Sequence, residues 1–291
     1  MKLQGIGFFW VVCAFAACVS RAAAARNEPA GTLVPPIVPE AEDWRSAPLF
    51  PTEISAAMKE LYRAGIENGN DPARFSKFGD SNSIHTYFLG CFDSGADAYD
   101  LGAYPILART VERYQGSFAR SSQAARNGLV AGDLIGPGWD RDGECLEDES
   151  AAACELRLWR PSIVLIAVGT NDVYRGLPAF ETSLRSVVRA VIDAGAVPVL
   201  FTKADDLNQD DGFNRAIARI AAEFEAPLVN LWKVFRPLPN HGLRGDNAHP
   251  SASSPRFCDF VADELRAYGW PVRNLTALAA LDLATRLLNQ R

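Results

Sequence analysis

A serine and an Asp–His pair lie in short polar segments whose residue types suit nucleophilic catalysis. Asp246 precedes His249 by three residues in one such segment, and Ser81 belongs to the segment Gly79-Asp80-Ser81. A carboxylate at that spacing can turn back and accept the imidazole Nδ1–H, which leaves Nε2 free to take a proton from a serine hydroxyl. Alone, Ser81 could equally cap a helix and His249 could be a loop residue. The prediction therefore depends on further motifs.

Two other segments contain groups that could stabilise the oxyanion formed when a serine attacks a carbonyl. Asn171 lies in Gly169-Thr170-Asn171-Asp172, directly after the most apolar predicted strand, and its amide can donate to a developing negative charge. A glycine N–H can approach the same oxygen closely because no side chain intervenes. Gly132 is the candidate for this donor and Gly128 is an alternative. Turn formation is the ordinary role of such residues.

The four blocks follow one another as Gly-Asp-Ser, Gly, Gly-Thr-Asn-Asp and Asp-x-x-His-Pro, from about Phe75 to the segment after Pro250. In this order they resemble the SGNH hydrolases, also called GDSL esterases and lipases, although Asn82 stands where that name has leucine. The resemblance implies a three-layer α/β/α sandwich with a central parallel sheet, the flavodoxin-like fold of the family, and a serine hydrolase acting on ester bonds. It assigns Ser81 as nucleophile, His249 as general base, Asp246 as its orienting partner, and Ser81, Gly132 and Asn171 as the oxyanion hole.

The rest of the sequence predicts no cofactor and no metal. Three histidines and the absence of a Cys-x-x-Cys pair argue against zinc. No P-loop, His-Glu-x-x-His or Gly-x-Ser-x-Gly motif occurs. His85 has no preceding carboxylate at turn spacing, and His241 is predicted to be a loop residue or a substrate contact. A net charge of −6 without a basic cluster argues against a nucleic-acid partner.

Apolar runs alternate with helical patterns from about residue 52, as in a parallel sheet covered by helices on both faces. Residues 163–168 are continuously apolar, as expected of a strand buried on both faces. Ligands of such sheets bind beyond the carboxyl ends of the strands, where the polar blocks are placed. The sequence predicts further strands at 75–78, 199–201 and 228–231, and helices at 180–192, 213–224, 254–268 (closed by Gly269) and 275–288.

The N-terminal segments are predicted to lie outside the catalytic domain. Residues 1–25 combine a basic start, an apolar run and a cluster of alanines, which is the pattern of an export signal. The run is shorter than the roughly 20 apolar residues of a membrane span, and lipid attachment at Cys18 is a less favoured alternative. Residues 26–51 are rich in proline and predict an extended leader. We therefore expect an exported protein, extracellular or periplasmic, with no transmembrane segment in the mature chain and its hydrolase domain at 52–291.

Four cysteines remain after such a signal is removed, which favours disulfides in an oxidising compartment. Cys145 and Cys154 flank a short acidic loop and form the favoured pair, which leaves Cys91 with Cys258. Four buried free thiols are the alternative.

The expected substrate is a small-molecule or glycan ester, with short acyl groups on carbohydrate as one form. Residues 92–118, between the nucleophile and the glycine block, could form a rim over the site, where Tyr99, Tyr104 or Tyr114 could stack on a sugar or simply pack. Two alternatives share these motifs. One is an O-acyltransferase on the same scaffold, and the other is a non-catalytic envelope or carbohydrate-binding protein.

Overall fold

The computed structural model describes residues 43–137, 143–205, 207, 211–253 and 255–290. The predicted export signal, Cys18 and most of the predicted leader lie outside these ranges. Among the helices of the described residues, none is both long enough and apolar enough to cross a membrane.

A parallel sheet forms the centre of the described chain. Residues 124–126 add a parallel bridge on the outer side of the first strand, where the Gly79 N–H donates to Ala124 O at 3.0 Å and the Arg126 N–H donates to Gly79 O at 3.2 Å. After the first strand the chain pairs on one side of it, at residues 124–126, and then crosses to its other side to form the second strand. Ligands bind at such a switch point. The four strands lie side by side in chain order: β1 (Asp71–Gly79), β2 (Pro161–Ala167), β3 (Val197–Phe201) and β4 (Leu228–Val229).

Helices cover both faces of this sheet, which confirms the predicted three-layer α/β/α fold. The helices are α1 (Ala56–Glu67), α2 (Ala108–Arg113), α3 (Ala151–Trp159), α4 (Leu177–Asp193), α5 (Gly212–Glu223), α6 (Leu231–Phe235), α7 (Ala262–Ala267) and α8 (Gly269–Leu288). One face of the sheet carries a core of side chains such as Phe75 and Leu165 and is covered by α1, α2 and α8, whereas the other carries Phe78 and Ile166 and is covered by α3, α4 and α5.

The helices at 180–192 and 213–224 were predicted from their apolar spacing, and both are confirmed as α4 and α5. In α4 the repeat buries Phe180, Leu184 and Val188 against the sheet. Each such side chain contributes about 1.5–3 kcal/mol when it is fully buried. The predicted strand at 228–231 is shorter than expected, because Asn230 turns inward and donates from Nδ2 to Trp44 O at 3.0 Å.

The predicted helix over 254–268 is wrong in its first half. Ser254 lies outside the described residues, and the helical part is α7, which begins at Ala262. Residues 258–260, before α7, pair with Asp100 in an extended conformation, because the Asp100 N–H donates to Cys258 O and the Phe260 N–H donates to Asp100 O. Gly269 opens α8 instead of ending a helix, and a Cβ there would collide with Gly242 O. The last helix therefore begins six residues before 275, where the sequence placed its start.

Both predicted disulfides are present. Cys145 is bonded to Cys154, and Cys91 is bonded to Cys258 across 167 residues of sequence. The alternative of four free thiols is therefore wrong. The Cys91–Cys258 bond ties the segment after Ser81 to the segment before α7.

The described part of the proline-rich segment, residues 43–51, contains neither helix nor strand but packs against the domain. Trp44 is buried, with 1% of its surface exposed. Its ring meets Trp232 edge to face, with centroids 4.9 Å apart. The Asn230 N–H also donates to Leu49 O at 2.9 Å.

Candidate active site

The turn after β1 places Ser81 at the switch point of the sheet. β1 ends at Gly79, and Ser81 begins a single 3-10 turn that ends at Ser83. A Cβ at Gly79 would collide with Ala167 O of β2 and with the Ser83 side chain, so the tight junction requires glycine. Asp80 fixes the turn, because its Oδ1 accepts the Asn82 N–H at 2.8 Å. Ser81 itself remains half-exposed.

The loop before α7 brings the predicted base to this serine. The Ser81 Oγ lies 2.8 Å from His249 Nε2, and His249 Nδ1 lies 2.9 Å from Asp246 Oδ2. The other carboxylate oxygen, Oδ1, accepts the backbone N–H groups of Ala248 and His249 at 3.0 and 2.9 Å. Hydroxyl, imidazole and carboxylate therefore form one hydrogen-bonded line, and the carboxylate also shapes the loop that carries the imidazole.

The electrostatics of Asp246 suit an orienting carboxylate. Partial burial alone would raise its pKa, but the backbone N–H groups of His249 and Ala248 and the imidazole outweigh burial and lower the pKa to about 2. The carboxylate is therefore ionised at any pH at which the fold is expected to operate, and it can accept the Nδ1–H.

Asn171 and Gly132 belong to two loops that one buried carboxylate joins. Asp172 accepts the Ala131 N–H at 2.9 Å through Oδ1 and the Gly169 N–H at 3.1 Å through Oδ2. Gly132 lies in the 3-10 turn Ala131–Leu134. The Asn171 amide donates to Leu129 O at 3.1 Å, and a side-chain amide has a second N–H. The glycine block is thus anchored to the block that carries the asparagine.

A pocket of about 470 Å³ opens over the serine. Its walls include Ser81, His249, Asn127 and Arg244. Three aromatic side chains, Tyr87, Phe257 and Trp270, line one side of the pocket. The ring centroids are 5.1 Å apart for Tyr87 and Phe257 and 5.6 Å apart for Tyr87 and Trp270. Ser81 therefore faces a pocket of the size that small organic ligands occupy.

The sequence model of the GDSL-like Lipase/Acylhydrolase family matches residues 78–254, which contain all four motif blocks. The chain belongs to this family. The match confirms the resemblance that the motifs indicated.

Other similarities are more distant. Thioesterase 1/protease 1/lysophospholipase L1 of Escherichia coli (strain K12) is 28% identical over 118 residues, which are 38% of this chain and 57% of that protein. The chain thus spans little more than half the length of this relative. Among solved structures, LAE5, an alpha/beta hydrolase enzyme from the metagenome of Lake Arreo, Spain, is 19% identical over 75% of this chain and 96% of its own, with a TM-score of 0.46. A catalytic mutant of Axe2, an acetylxylan esterase from Geobacillus stearothermophilus, is 18% identical over 72% and 93%, with a TM-score of 0.45. Both TM-scores are below 0.5, and these two similarities carry no weight for the function.

In this member of the GDSL-like family, Asp172 has a structural role that its motif alone did not predict. Burial raises its pKa to about 6, although the two N–H donors from Ala131 and Gly169 act in the opposite direction. Its position as the last residue of Gly-Thr-Asn-Asp was the one available signal. The side chain joins the two loops that contain the oxyanion candidates, and Asp172 is not part of the pocket lining.

Buried charged side chains lie directly beneath the turn that carries Ser81. Arg273 of α8 is 5% exposed and donates from Nε to Asn82 O at 2.9 Å. Burial lowers the pKa of Arg273 to about 10, opposed by Asp80 and Asp205, so the guanidinium is cationic at neutral pH. Burial also raises the pKa of Asp80. The same polar layer contains the ion pair between Lys203 Nζ and Asp205, at 2.8 Å.

The other two histidines and Tyr114 contact other residues. His85 Nδ1 lies 3.3 Å from Ser121 Oγ, and His241 Nδ1 lies 2.9 Å from an Arg236 nitrogen. Tyr114 is fully buried and meets Phe75 edge to face, so it packs in the core and forms no rim.

The described residues contain one group with the ligand types of a metal centre, namely Cys145, Glu149 and Cys154. The two sulfurs of this group are joined in a disulfide. Glu149 forms an ion pair with Arg157 at 2.7 Å. All three side chains of this group are therefore already engaged, two in the disulfide and one in the ion pair.

Proposed function

We propose that this chain is an exported serine esterase that hydrolyses carboxylic esters, including short acyl groups on carbohydrate, through an acyl-enzyme on Ser81. The observation that supports the proposal most strongly is the hydrogen-bonded line from the Ser81 hydroxyl through His249 to Asp246. Such a line activates a serine that would otherwise be a weak nucleophile. Family membership supports the same chemistry.

The first half-reaction transfers the acyl group to the enzyme. Ser81 Oγ attacks the carbonyl carbon while His249 Nε2 takes the hydroxyl proton. The resulting oxyanion receives hydrogen bonds from the Ser81 N–H, the Gly132 N–H and the second amide N–H of Asn171. The tetrahedral intermediate then collapses, the bond to the alcohol breaks, and the alkoxide leaves with the proton held by His249.

Water completes the turnover. His249 accepts a proton from a water molecule as its oxygen attacks the acyl carbon, and the same proton returns to Ser81 Oγ when the acid leaves. Through both halves Asp246 stays ionised and stabilises the imidazolium. The chemistry of these steps is complete with protein groups and water.

Export is supported by the predicted signal at 1–25 and by the two disulfides, which persist in oxidising compartments. Gly132 is preferred to Gly128 as the oxyanion glycine because Asp172 anchors the turn that contains Gly132, whereas Gly128 is exposed and has a φ of +71°.

The test is hydrolysis of p-nitrophenyl acetate and labelling with a fluorophosphonate by the wild type, Ser81→Ala and the matched control Ser186→Ala, whose serine is exposed on α4. We expect Ser81→Ala to lose both activities, with a kcat reduced by about 10³-fold or more, and Ser186→Ala to retain both. Turnover by Ser81→Ala within tenfold of the wild type would refute the assignment. The products formed in the presence of an added sugar acceptor separate hydrolysis from acyl transfer.

A further inference from the structure

A second groove lies beside the catalytic pocket and shares an aromatic wall with it. Tyr87 and Phe257 line both spaces. The volume of the groove is about 940 Å³, against about 470 Å³ for the catalytic pocket. It is near the upper limit for small-molecule sites, so it has room for a ligand much longer than a short acyl group.

A disulfide and backbone hydrogen bonds fix the shape of the groove. Its wall contains the Cys91–Cys258 disulfide. Beside this bond the Asp100 N–H donates to Cys258 O at 3.1 Å, and the Phe260 N–H donates to Asp100 O at 2.7 Å. A site fixed in this way loses little conformational freedom when a ligand binds.

The charged side chains of the groove limit the chemistry of its occupant. Asp97, Asp100 and Asp259 contribute three carboxylates, against a single guanidinium from Arg256, which is paired with Asp259. An anionic ligand would be repelled by this excess of negative charge. An acyl chain would have to desolvate the carboxylates without giving them hydrogen bonds, which is unfavourable. Ionised carboxylates accept hydrogen bonds and donate none, so they suit a ligand rich in hydroxyl groups.

Aromatic surface complements these acceptors. Tyr87 is 45% exposed and lies where the groove meets the catalytic pocket. Tyr99, one of the three tyrosines singled out in the sequence, lines the groove and is braced from behind by Phe92, with centroids 5.0 Å apart. Flat apolar faces between hydrogen-bond acceptors match the alternating C–H and O–H surface of a sugar ring.

We propose that this groove binds the glycan part of the substrate, an uncharged oligosaccharide whose ester-linked acyl group reaches Ser81 past Tyr87 and Phe257. The inference rests on the proposed esterase function and adds to it the groove that holds the alcohol part and the selection of an uncharged oligosaccharide. It also explains why the disulfide joins the two segments that line this space.

The experiment measures kcat/KM for p-nitrophenyl acetate and for acetylated neutral oligosaccharides of two, four and six sugar rings. The informative quantity is the ratio of the oligosaccharide value to the p-nitrophenyl acetate value. For the wild type we expect this ratio to rise at least tenfold from two rings to four. Asp97→Ala should lower the ratio for four rings about fivefold, the effect of one hydrogen bond, and Tyr99→Ala should lower it about tenfold.

Matched controls separate the groove from general effects of substitution. Tyr104→Ala removes a tyrosine that is 38% exposed and lies outside the groove lining, and Asp193→Ala removes a carboxylate at the end of α4. Both should keep the wild-type ratio. Because Tyr99 is half-buried, Asp97→Ala at an exposed position is the variant that keeps the test valid if Tyr99→Ala unfolds.

Three outcomes would overturn the proposal while leaving the esterase assignment in place. They are a ratio that does not depend on the number of rings, a preference for acetylated oligosaccharides of uronic acids, and a kcat/KM that rises with the length of the acyl chain instead. Failure of the wild type to hydrolyse p-nitrophenyl acetate would instead refute the proposed function itself.

Discussion

Replacing Asp246 with asparagine separates the two roles of this carboxylate. Oδ1 accepts the backbone N–H groups of Ala248 and His249, whereas Oδ2 accepts the imidazole Nδ1–H. Asparagine has one carbonyl oxygen and one NH2 group. If its oxygen keeps the two backbone donors, its NH2 faces Nδ1 and the imidazole must carry its proton on Nε2. An Nε2–H cannot accept the proton of Ser81.

The size of the effect follows from the contacts that are lost. One hydrogen bond to a charged group is worth about 1.5–3 kcal/mol. The carboxylate charge beside the developing imidazolium adds about 1–4 kcal/mol at 4 Å, depending on the effective dielectric. Because the side chains of His249 and Asp246 are 37% and 42% exposed, solvent screening places this second contribution near 1 kcal/mol. We expect Asp246→Asn to lower kcat/KM by about 10²–10³-fold.

The assay is hydrolysis of p-nitrophenyl acetate, with chemical unfolding measured on the same samples. Asp246→Asn should unfold within about 1 kcal/mol of the wild type, because the loop keeps its backbone hydrogen bonds. Asp246→Ala should lose activity to a similar degree and stability as well. Asp263→Asn, at a fully exposed position on α7, is the control and should change neither. A folded Asp246→Asn variant that keeps more than a tenth of the wild-type kcat/KM would refute the tautomer argument.

Two further predictions concern buried cations. Lys77 donates to Phe118 O at 2.6 Å, and burial lowers its pKa from 10.5 to about 7. Between pH 7 and pH 10.5 the unfolded chain keeps a proton on Lys77 that the folded chain has lost. The free energy of unfolding therefore rises with pH in this range. From pH 7 to pH 9 the free energy of unfolding of the wild type should rise by about 2 kcal/mol relative to that of Lys77→Met, measured by chemical denaturation. A difference between the two proteins that is the same at both pH values would contradict this. Arg273→Met should lower kcat at least tenfold with KM for p-nitrophenyl acetate within about twofold, because the Asn82 carbonyl loses its donor, and Arg273→Lys should recover part of kcat. A folded Arg273→Met variant with wild-type kcat would show that this arginine does not position the nucleophile.

The convergence of Ser81, His249 and Asp246 was predictable because the turns that carry these residues are encoded locally. Asp246 and His249 are three residues apart, and the turn between them is closed by the side chain of Asp246 itself. Gly79 likewise precedes Ser81 at the junction that only glycine fits. The strand at residues 163–168 was predicted from its continuous apolar run, since a strand covered on both faces cannot alternate. The order of the motifs then implied the fold.

Predictions failed where a distant segment determines the local conformation. The apolar spacing of residues 254–268 fits a helix, yet Cys91 and Asp100, more than 150 residues earlier, hold residues 258–260 in an extended conformation. Helical periodicity cannot compete with a disulfide and a pair of backbone hydrogen bonds from another part of the chain. The second groove was not predicted for the same reason, because its two sides come from segments that only this disulfide and pairing bring together.

The turn that carries Ser81 also contacts a helix that the four motif blocks do not include. The family match ends at residue 254, whereas Arg273 lies in α8 and places a buried positive charge one residue from the nucleophile. Asp80 and Asp205 are the carboxylates that oppose the lowering of the Arg273 pKa, and Asp80 Oδ1 accepts the Asn82 N–H in the turn around Ser81. Through the bond from Arg273 to Asn82 O, α8 supports the turn that positions Ser81, and its apolar side chains also form part of the hydrophobic core.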